Sequence, residues 1–229
     1  MASAKGHDGC CPRRGLYAVT DTELTHGQRL VDAVAEALAG GAVMVQYRNK
    51  SSDSARRRRE ATALNDLCSS HGVPLIVNDD PALARQAGAA GVHLGAQDAP
   101  LAGARELLGP KAIIGCSCYN RLELARQAAA NGADYVAFGS FFPSPTKPAA
   151  VRAPPELLSA ARRELSLPIA AIGGINPDNA VTLLRHGAGL LAVISALFAV
   201  ADVEAAARGF RSLFATVAPS SSLAGETEQ

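Results

Sequence analysis

The stretch NGADYVAFGS, residues 131–140, carries the pattern that decides the fold. A glycine stands where a helix would end, and a short apolar run follows it within a few residues. Glycine favours the left-handed backbone that closes many helices, and a continuous apolar run is typical of a strand buried on both faces. The stretch therefore predicts a helix that ends near its glycine and leads directly into a buried strand.

The same order recurs at intervals of about 45 to 55 residues, in AGGAVMV (39–45), AGAAGVHL (87–94) and HGAGLLAV (186–193). With the apolar runs between these copies, the predicted strands are 15–21, 43–48, 74–79, 91–95, 112–117, 135–140, 168–174 and 189–195. They are separated by segments in which apolar residues recur at the spacing of a helix. Eight strands, each followed by a helix, predict a single (β/α)8 barrel, a TIM barrel of the α/β class. An open sheet divided over two domains is the structural alternative.

The barrel is predicted to span residues 15–216. Residues 1–14 and 217–229 are polar and small, and we expect both segments to be disordered. The N-terminus lacks the apolar region of a secretory signal, and no apolar run reaches the length of a membrane span. We therefore expect a cytoplasmic protein whose five cysteines are reduced.

The charge balance gives no reason to expect a nucleic-acid or membrane partner, since the net charge is +1 over 229 residues. The run Arg56–Arg59 lies in a predicted helix beside acidic residues and lacks aromatic neighbours for stacking on bases. We interpret it as a solvated helix face. The sequence leaves open whether the chain forms a homo-oligomer.

Polar side chains follow predicted strands two, three and four, at the end of the barrel where active sites of this fold lie. Gln46, Arg48 and Lys50 come at and after strand two, and the two cations suit phosphate or pyrophosphate. Asp79 and Asp98 add two carboxylates after strands three and four. Paired carboxylates beside a pyrophosphate commonly hold Mg²⁺. We therefore predict a pyrophosphate site here, with Mg²⁺ as the cofactor.

Two residues of this region also have structural interpretations. Asp79 and Asp80 stand directly before Pro81, and proline favours the first turn of a helix, so at least one aspartate could be a helix cap. His93, inside strand four, is expected to be packed and hydrogen-bonded rather than catalytic.

A second anion site is predicted after strands seven and eight. Gly173 and Gly174 end strand seven, with Asn176 as a cap and Pro177 as the first residue of the next helix. Ser195 ends strand eight, and loops after these two strands form the common phosphate site of the barrel. The alternative is that the glycines only make a tight turn.

The loop after strand six, FGSFFPSPTK (138–147), adds Ser144, Thr146 and Lys147, stiffened by prolines. Two further polar residues end strands five and three: Ser117 and Asn78. Two anion sites on one rim suit an enzyme that joins two phosphorylated small molecules with loss of pyrophosphate.

The motifs at the strand ends resemble those of the thiamine phosphate synthase family over roughly residues 15–215. They are QYRNK (46–50), NDD (78–80), GVHLGAQD (91–98), IIGCS (113–117), FGSFFPSPTK (138–147), AIGGI (171–175) and VIS (193–195). Each motif is weak alone, but their order along the chain is specific. The family joins a pyrimidine carrying a methylene pyrophosphate to a thiazole carrying a phosphate, with no protein nucleophile.

The resemblance implies a role for each matching residue. The pyrimidine pyrophosphate would be bound by Gln46, Arg48, Lys50, Asn78, Ser117 and Lys147. The thiazole phosphate would be bound by Ser144, Pro145, Thr146, Gly174, Ile194 and Ser195. The residues with catalytic roles would be Arg48, Lys50, Ser117 and Lys147, and the Mg²⁺ ligands would be Asp79 and Asp98.

Three positions depart from the family pattern. Asn49 stands where glutamate is usual, Ser144 where threonine is usual, and Ser140–Phe141 where a Pro–Val pair is common. None of these changes removes a charged group that the chemistry needs. The alternative functions are a thiazole tautomerase of the same fold, a phosphosugar isomerase or epimerase, and a nucleic-acid binder.

Overall fold

Eight parallel strands pair in chain order in the computed structural model, which describes residues 10–95, 98–143 and 151–217, and β1 also pairs with β8. The strands are β1 (Gly15–Val19), β2 (Ala42–Tyr47), β3 (Leu75–Asn78), β4 (Gly91–Leu94), β5 (Ile113–Tyr119), β6 (Tyr135–Phe138), β7 (Ile169–Ile172) and β8 (Leu190–Val193). The described helices are α1 (Gln28–Ala39), α2 (Ser54–Ser70), α3 (Pro81–Ala87), α4 (Leu101–Leu108), α5 (Leu122–Ala130), α6 (Glu156–Glu164), α7 (Pro177–Arg185), α8 (Ser195–Phe198) and α9 (Val203–Thr216). The predicted (β/α)8 barrel is confirmed, and the closed sheet excludes the open two-domain alternative.

β6 illustrates why these apolar runs form a barrel. All four of its residues are buried. Tyr135 and Ala137 pack in the barrel interior, whereas Val136 and Phe138 pack in the layer between strands and helices. Alternate side chains of a strand point to opposite faces, so an apolar residue at every position requires cover on both. The closed sheet covers one face and the ring of helices covers the other.

Several helix starts follow from short polar residues. Asp53 caps α2 by accepting a hydrogen bond from the Arg56 N–H, and Asp80 caps α3 by accepting one from Leu83. Such caps satisfy backbone donors that the helix itself cannot pair. Pro81 follows Asp80 at the first turn, as predicted. Asp80 is therefore the cap of α3, which removes the need for Asp79 to serve in that role.

The repeated glycines of the sequence pattern stand where helices end. Gly88 closes α3 with φ of 68°, in the left-handed region that glycine adopts without a steric cost. The chain then turns directly into β4, as the sequence pattern predicts. This connection sets where β4 begins and therefore which of its residues reach the opposite rim.

Seven of the eight observed strands end one or two residues earlier than predicted, whereas β5 ends later, at Tyr119 instead of residue 117. Predicted strand two reached residue 48 and predicted strand three reached residue 79, but β2 ends at Tyr47 and β3 ends at Asn78. Arg48 and Asp79 therefore lie just beyond the sheet. Their backbones are free to turn, and their side chains are placed on the rim.

Outside the barrel, the described part of the N-terminal segment contacts the end of α9, where the Arg14 guanidinium donates to the carbonyls of Phe214 and Val217. Residues 1–9 and 218–229, which hold most of the predicted disorder, lie outside the described residues. None of the described helices combines the length and apolar character that crossing a bilayer requires. In the arginine run, Arg56 and Arg57 form ion pairs with Glu60 and Asp80.

Candidate active site

One cavity of about 950 Å³ lies at the carboxyl ends of the strands. It is lined by most of the described residues that the sequence predicted: Gln46, Arg48, Asn78, Ser117, Gly174, Ile194 and Ser195. A second cavity of about 600 Å³ is lined by Lys50, Asn78 and Asp79. Because Asn78 lines both, the two cavities are neighbours. The structure therefore brings residues from β2, β3, β5, β7 and β8 to one rim.

Arg48 is held at the edge of the larger cavity by contacts with the end of β1. Its guanidinium lies 2.8 Å from the Asp21 carboxylate, and both side chains are largely buried, with 14% and 12% exposed. Its backbone N–H donates to the Thr20 hydroxyl at 2.9 Å. The ion pair fixes the guanidinium while leaving other N–H donors for an anion. Asp21 was not predicted as part of the site.

Asp79 and Asp98 form a carboxylate pair beyond β3 and β4. Asp79 has φ of 64°, a left-handed conformation that aspartate tolerates better than most residues, and its N–H donates to the His93 carbonyl at 2.8 Å. Asp98 accepts a hydrogen bond from the Gly95 N–H at 2.5 Å. Burial and the nearby Asp98 carboxylate raise the pKa of Asp79, whereas Lys50 acts to lower it.

This pair fits a hard divalent cation, because two carboxylates that repel each other are stabilised by a positive ion beside them. Carboxylate oxygens are also the ligands that Mg²⁺ prefers. Mg²⁺ sites of this kind typically combine one or two carboxylates with oxygen ligands from substrate and water.

The glycine turn after β7 packs directly against the loop after β6. Gly173 and Gly174 have φ of 105° and 62°, and a side chain on either would collide with Ser140 or with the Pro143 carbonyl. The Phe142 N–H donates to the Gly173 carbonyl at 3.0 Å. These contacts fix the turn and keep its backbone exposed to the cavity, as a phosphate site requires.

α7 begins where predicted, but its first backbone amides donate hydrogen bonds to its own cap residue. Asn176 caps the helix by accepting hydrogen bonds from Asp178 and Asn179, and the Asn179 side chain bonds the Asn176 N–H in return. Pro177 is the first helical residue. The cap occupies N–H groups that a phosphate would otherwise use. An anion at this edge would therefore rely on the glycine turn and on the start of α8, where Ser195 lies.

Residues 144–150, which follow the described segment 139–143 after β6, lie outside the described residues. They include four predicted site residues: Ser144, Pro145, Thr146 and Lys147. In the described segment 139–143, Ser140 donates its hydroxyl hydrogen to the Phe142 carbonyl at 2.9 Å. The predicted roles of the four residues remain predictions.

A buried hydrogen-bonded chain of side chains, the interior network, crosses the barrel below the cavity. Gln46 Nε2 donates to Tyr17 Oη at 2.7 Å, and Tyr17 Oη lies 2.7 Å from Tyr135 Oη. Tyr135 Oη lies 2.9 Å from His93 Nδ1, and His93 Nε2 lies 2.9 Å from Ser117 Oγ. His93 is buried and hydrogen-bonded, as predicted. Tyr17 and Tyr135 lie in predicted strands but were not predicted to belong to the site.

Asn49 is explained by its neighbour on α2. Its amide donates to Glu60 at 2.9 Å, and its carbonyl oxygen accepts from the Ser51 N–H at 2.8 Å. Glu60 also accepts from the Tyr47 hydroxyl and from Arg56, each at 2.7 Å. Burial acts to raise the pKa of Glu60, but these three hydrogen bonds lower it. A glutamate at position 49 would instead bring a second carboxylate beside Glu60.

We expect Asn49→Asp to lower the free energy of unfolding by about 1–3 kcal/mol at neutral pH, because a hydrogen bond to a charged group becomes a carboxylate repulsion. Denaturant unfolding of the two proteins measures this difference. The matched control is the same change in a Glu60→Gln background, where the cost should be smaller. An equal cost in both backgrounds would show that Glu60 does not determine the residue at position 49.

The closed barrel, the charged groups after β2, β3 and β4, and the glycine turn after β7 define the class of barrel enzymes that bind phosphorylated substrates at the carboxyl ends of their strands. Within that class, the sequence model described as thiamine monophosphate synthase matches residues 16–197. The chain belongs to the thiamine monophosphate synthase family.

Individual relatives agree with this assignment. A thiamine-phosphate synthase of Thioalkalivibrio sulfidiphilus is 54% identical over 201 residues, covering 88% of this chain and 95% of the relative. One of Thiobacillus denitrificans is 55% identical over the same length, with the same two coverages. The solved structure of a thiamine phosphate pyrophosphorylase from Pyrococcus furiosus superposes with a TM-score of 0.80 at 35% identity, covering 90% of this chain and 97% of that one.

Proposed function

We propose that this chain condenses 4-amino-2-methyl-5-(diphosphooxymethyl)pyrimidine with a 4-methyl-5-(2-phosphoethyl)thiazole substrate, giving thiamine phosphate and pyrophosphate. The observation that carries the proposal is that a cationic region with a carboxylate pair and a glycine turn share one rim. In the closed barrel, β3 and β7 are four strands apart. Asp79 and the turn Gly173–Gly174 therefore lie on opposite sides of the opening. Two phosphorylated substrates held there would have their reacting atoms between them.

The first half of the reaction breaks the bond between the pyrimidine methylene carbon and its pyrophosphate oxygen. The electron pair leaves with pyrophosphate, and the electron-rich aminopyrimidine stabilises the carbocation that remains. Mg²⁺, held by Asp79 and Asp98, would neutralise charge on the leaving group. Arg48, Lys50 and Lys147 would bind the same pyrophosphate and stabilise the charge that develops on it. Ser117 would contact the same substrate.

The second half forms the bond from the thiazole nitrogen to the carbocation. Apolar walls limit competition by water, because Val19, Ala137, Ile172 and Ala192 line the same cavity. A protein nucleophile is not required. Burial raises the pKa of the Cys116 thiol to about 11, so this thiol close to the rim stays protonated and unreactive.

The tautomerase alternative has no support from the relatives reported above, which are named thiamine-phosphate synthase or thiamine phosphate pyrophosphorylase. A tautomerase would need one anion site and an acid–base group. It has no evident use for a cationic region and a carboxylate pair opposite the glycine turn. The two regions together favour transfer between two substrates.

Incubation of the full chain with both substrates and Mg²⁺ tests the proposal. We expect equal amounts of thiamine phosphate and pyrophosphate, and no product after chelation of the metal. Either substrate alone is the control for hydrolysis. Folded protein that forms no thiamine phosphate from active substrates would contradict the proposal.

We expect Lys147 and Thr146, after β6, to bind different substrates. We expect Lys147→Ala to raise KM for the pyrimidine substrate about tenfold or more, because it loses a charge-assisted contact with pyrophosphate. Thr146→Ala should raise KM mainly for the thiazole substrate, by a factor of about five to ten. Steady-state kinetics with each substrate varied in turn measures both. The assignment is wrong if the two variants affect the same substrate.

A further inference from the structure

The hydrogen bonds of the interior network donate in one direction, and the first donor is Gln46. Its amide nitrogen is a donor only, so the Tyr17 oxygen accepts that bond. The single hydrogen of Tyr17 then goes to Tyr135, which is its other partner in the described part of the chain. The reverse order would leave the Tyr17 hydrogen buried and unpaired, which is costly because Tyr17 is 1% exposed.

The direction continues to the histidine. Tyr135 accepts from Tyr17, so its own hydrogen goes to His93 Nδ1. Burial raises the pKa of both tyrosines, which keeps both hydroxyl hydrogens in place. In a neutral imidazole one nitrogen accepts and the other donates. Nδ1 is the acceptor, so the ring hydrogen of His93 lies on Nε2.

The hydrogen bond between His93 and Ser117 determines whether the serine hydroxyl accepts or donates. His93 Nε2 donates to Ser117 Oγ, so the serine oxygen accepts and does not spend its own hydrogen on the histidine. Ser117 lines the larger cavity. No other side-chain hydrogen bond of Ser117 is found among the described residues, so its hydroxyl hydrogen is available to a molecule bound in this cavity.

We propose that Tyr17, Tyr135 and His93 are positioning residues that fix Ser117 as a hydrogen-bond donor to the pyrimidine substrate. The inference rests on the proposed function, in which Ser117 contacts that substrate. The partner atom is an acceptor that carries no hydrogen, such as a ring nitrogen or a phosphate oxygen. The network lies inside the barrel, so this preference is built into the core and not into a loop.

The tautomer of His93 in the wild-type protein is the first test, and a variant is used only to assign its signal. Long-range proton–nitrogen NMR correlations of the free protein distinguish a hydrogen on Nε2 from one on Nδ1. His93→Gln assigns the signal among the five histidines. We expect the Nε2–H form. A dominant Nδ1–H form would reverse the network and overturn the inference.

Kinetics of Tyr135→Phe form the second test. The change removes the hydroxyl that holds His93 Nδ1, so both tautomers become populated and Ser117 loses its fixed role. We expect kcat/KM for the pyrimidine substrate to fall about tenfold, with KM for the thiazole substrate unchanged. In a Ser117→Ala background the same change should cost less than twofold, because its effect acts through the serine. Effects that multiply in the double variant would overturn the inference.

Tyr47→Phe is the matched control. Tyr47 is equally buried but belongs to the layer between strands and helices, where its hydroxyl bonds Glu60. We expect its kcat/KM to stay within about twofold of the wild type. The two proposals fail differently. An inactive wild type contradicts the proposed function, whereas an active wild type with the Nδ1–H tautomer or multiplicative effects contradicts only the positioning role.

Discussion

Replacing Asp79 with asparagine should lower Mg²⁺-dependent turnover roughly a thousandfold while leaving the barrel folded. Asparagine keeps the size of the side chain and tolerates the positive φ of 64° at this position. It removes one of the two carboxylates that would hold the cation. Turnover with both substrates at saturating Mg²⁺ measures the loss, and circular dichroism checks the fold.

Asp80→Asn is the control for this change, because it alters the next residue along the chain. Asp80 caps α3 and pairs with Arg57 at 3.0 Å. Its replacement should cost stability, at most about 1 kcal/mol, and leave turnover close to the wild type. Wild-type turnover in Asp79→Asn would remove Asp79 from the metal site. Equal losses in both variants would indicate a shared structural effect.

Replacing Arg48 with methionine should affect both activity and stability. Turnover should fall about a hundredfold to a thousandfold, because a fixed donor to the leaving group is lost. The free energy of unfolding should fall by about 3 kcal/mol, because the largely buried Asp21 loses its partner at 2.8 Å. Steady-state kinetics and denaturant unfolding measure the two effects on the same protein.

The double variant Arg48→Met with Asp21→Asn separates these effects. It removes the unpaired charge along with the arginine, so most of the lost stability should return. Activity should remain low, because the cation itself is absent. Recovery of activity in the double variant would show that Arg48 acts only through the packing of Asp21.

The barrel was predictable because its signals are local. Each strand is a short apolar run, and glycines such as Gly88 mark where a helix stops and the next strand begins. Gln46 and Arg48 are separated only by Tyr47, so the alternation of side chains along a strand places them on one face. The structure agrees, since both line the larger cavity while Tyr47 packs against the helices.

The partners of the site residues were not predictable, because they are set by contacts between distant strands. Tyr17 and Tyr135 are 118 positions apart and meet only when the sheet closes. The Arg48–Asp21 pair spans the ends of β1 and β2, and an aspartate at a strand end carries no signal for its partner. Asn49 departs from the family pattern, and Glu60, which accounts for it, reaches it only because α2 packs beside the end of β2.

A structure of the chain with thiamine phosphate, pyrophosphate and Mg²⁺ tests the two-site arrangement most directly. We expect pyrophosphate beside Arg48 and Lys50, and Mg²⁺ bound by Asp79 and Asp98. We expect the phosphate of thiamine phosphate at the turn Gly173–Gly174 and the start of α8. Pyrophosphate bound at the glycine turn, or Mg²⁺ bound away from both aspartates, would contradict the two-site arrangement.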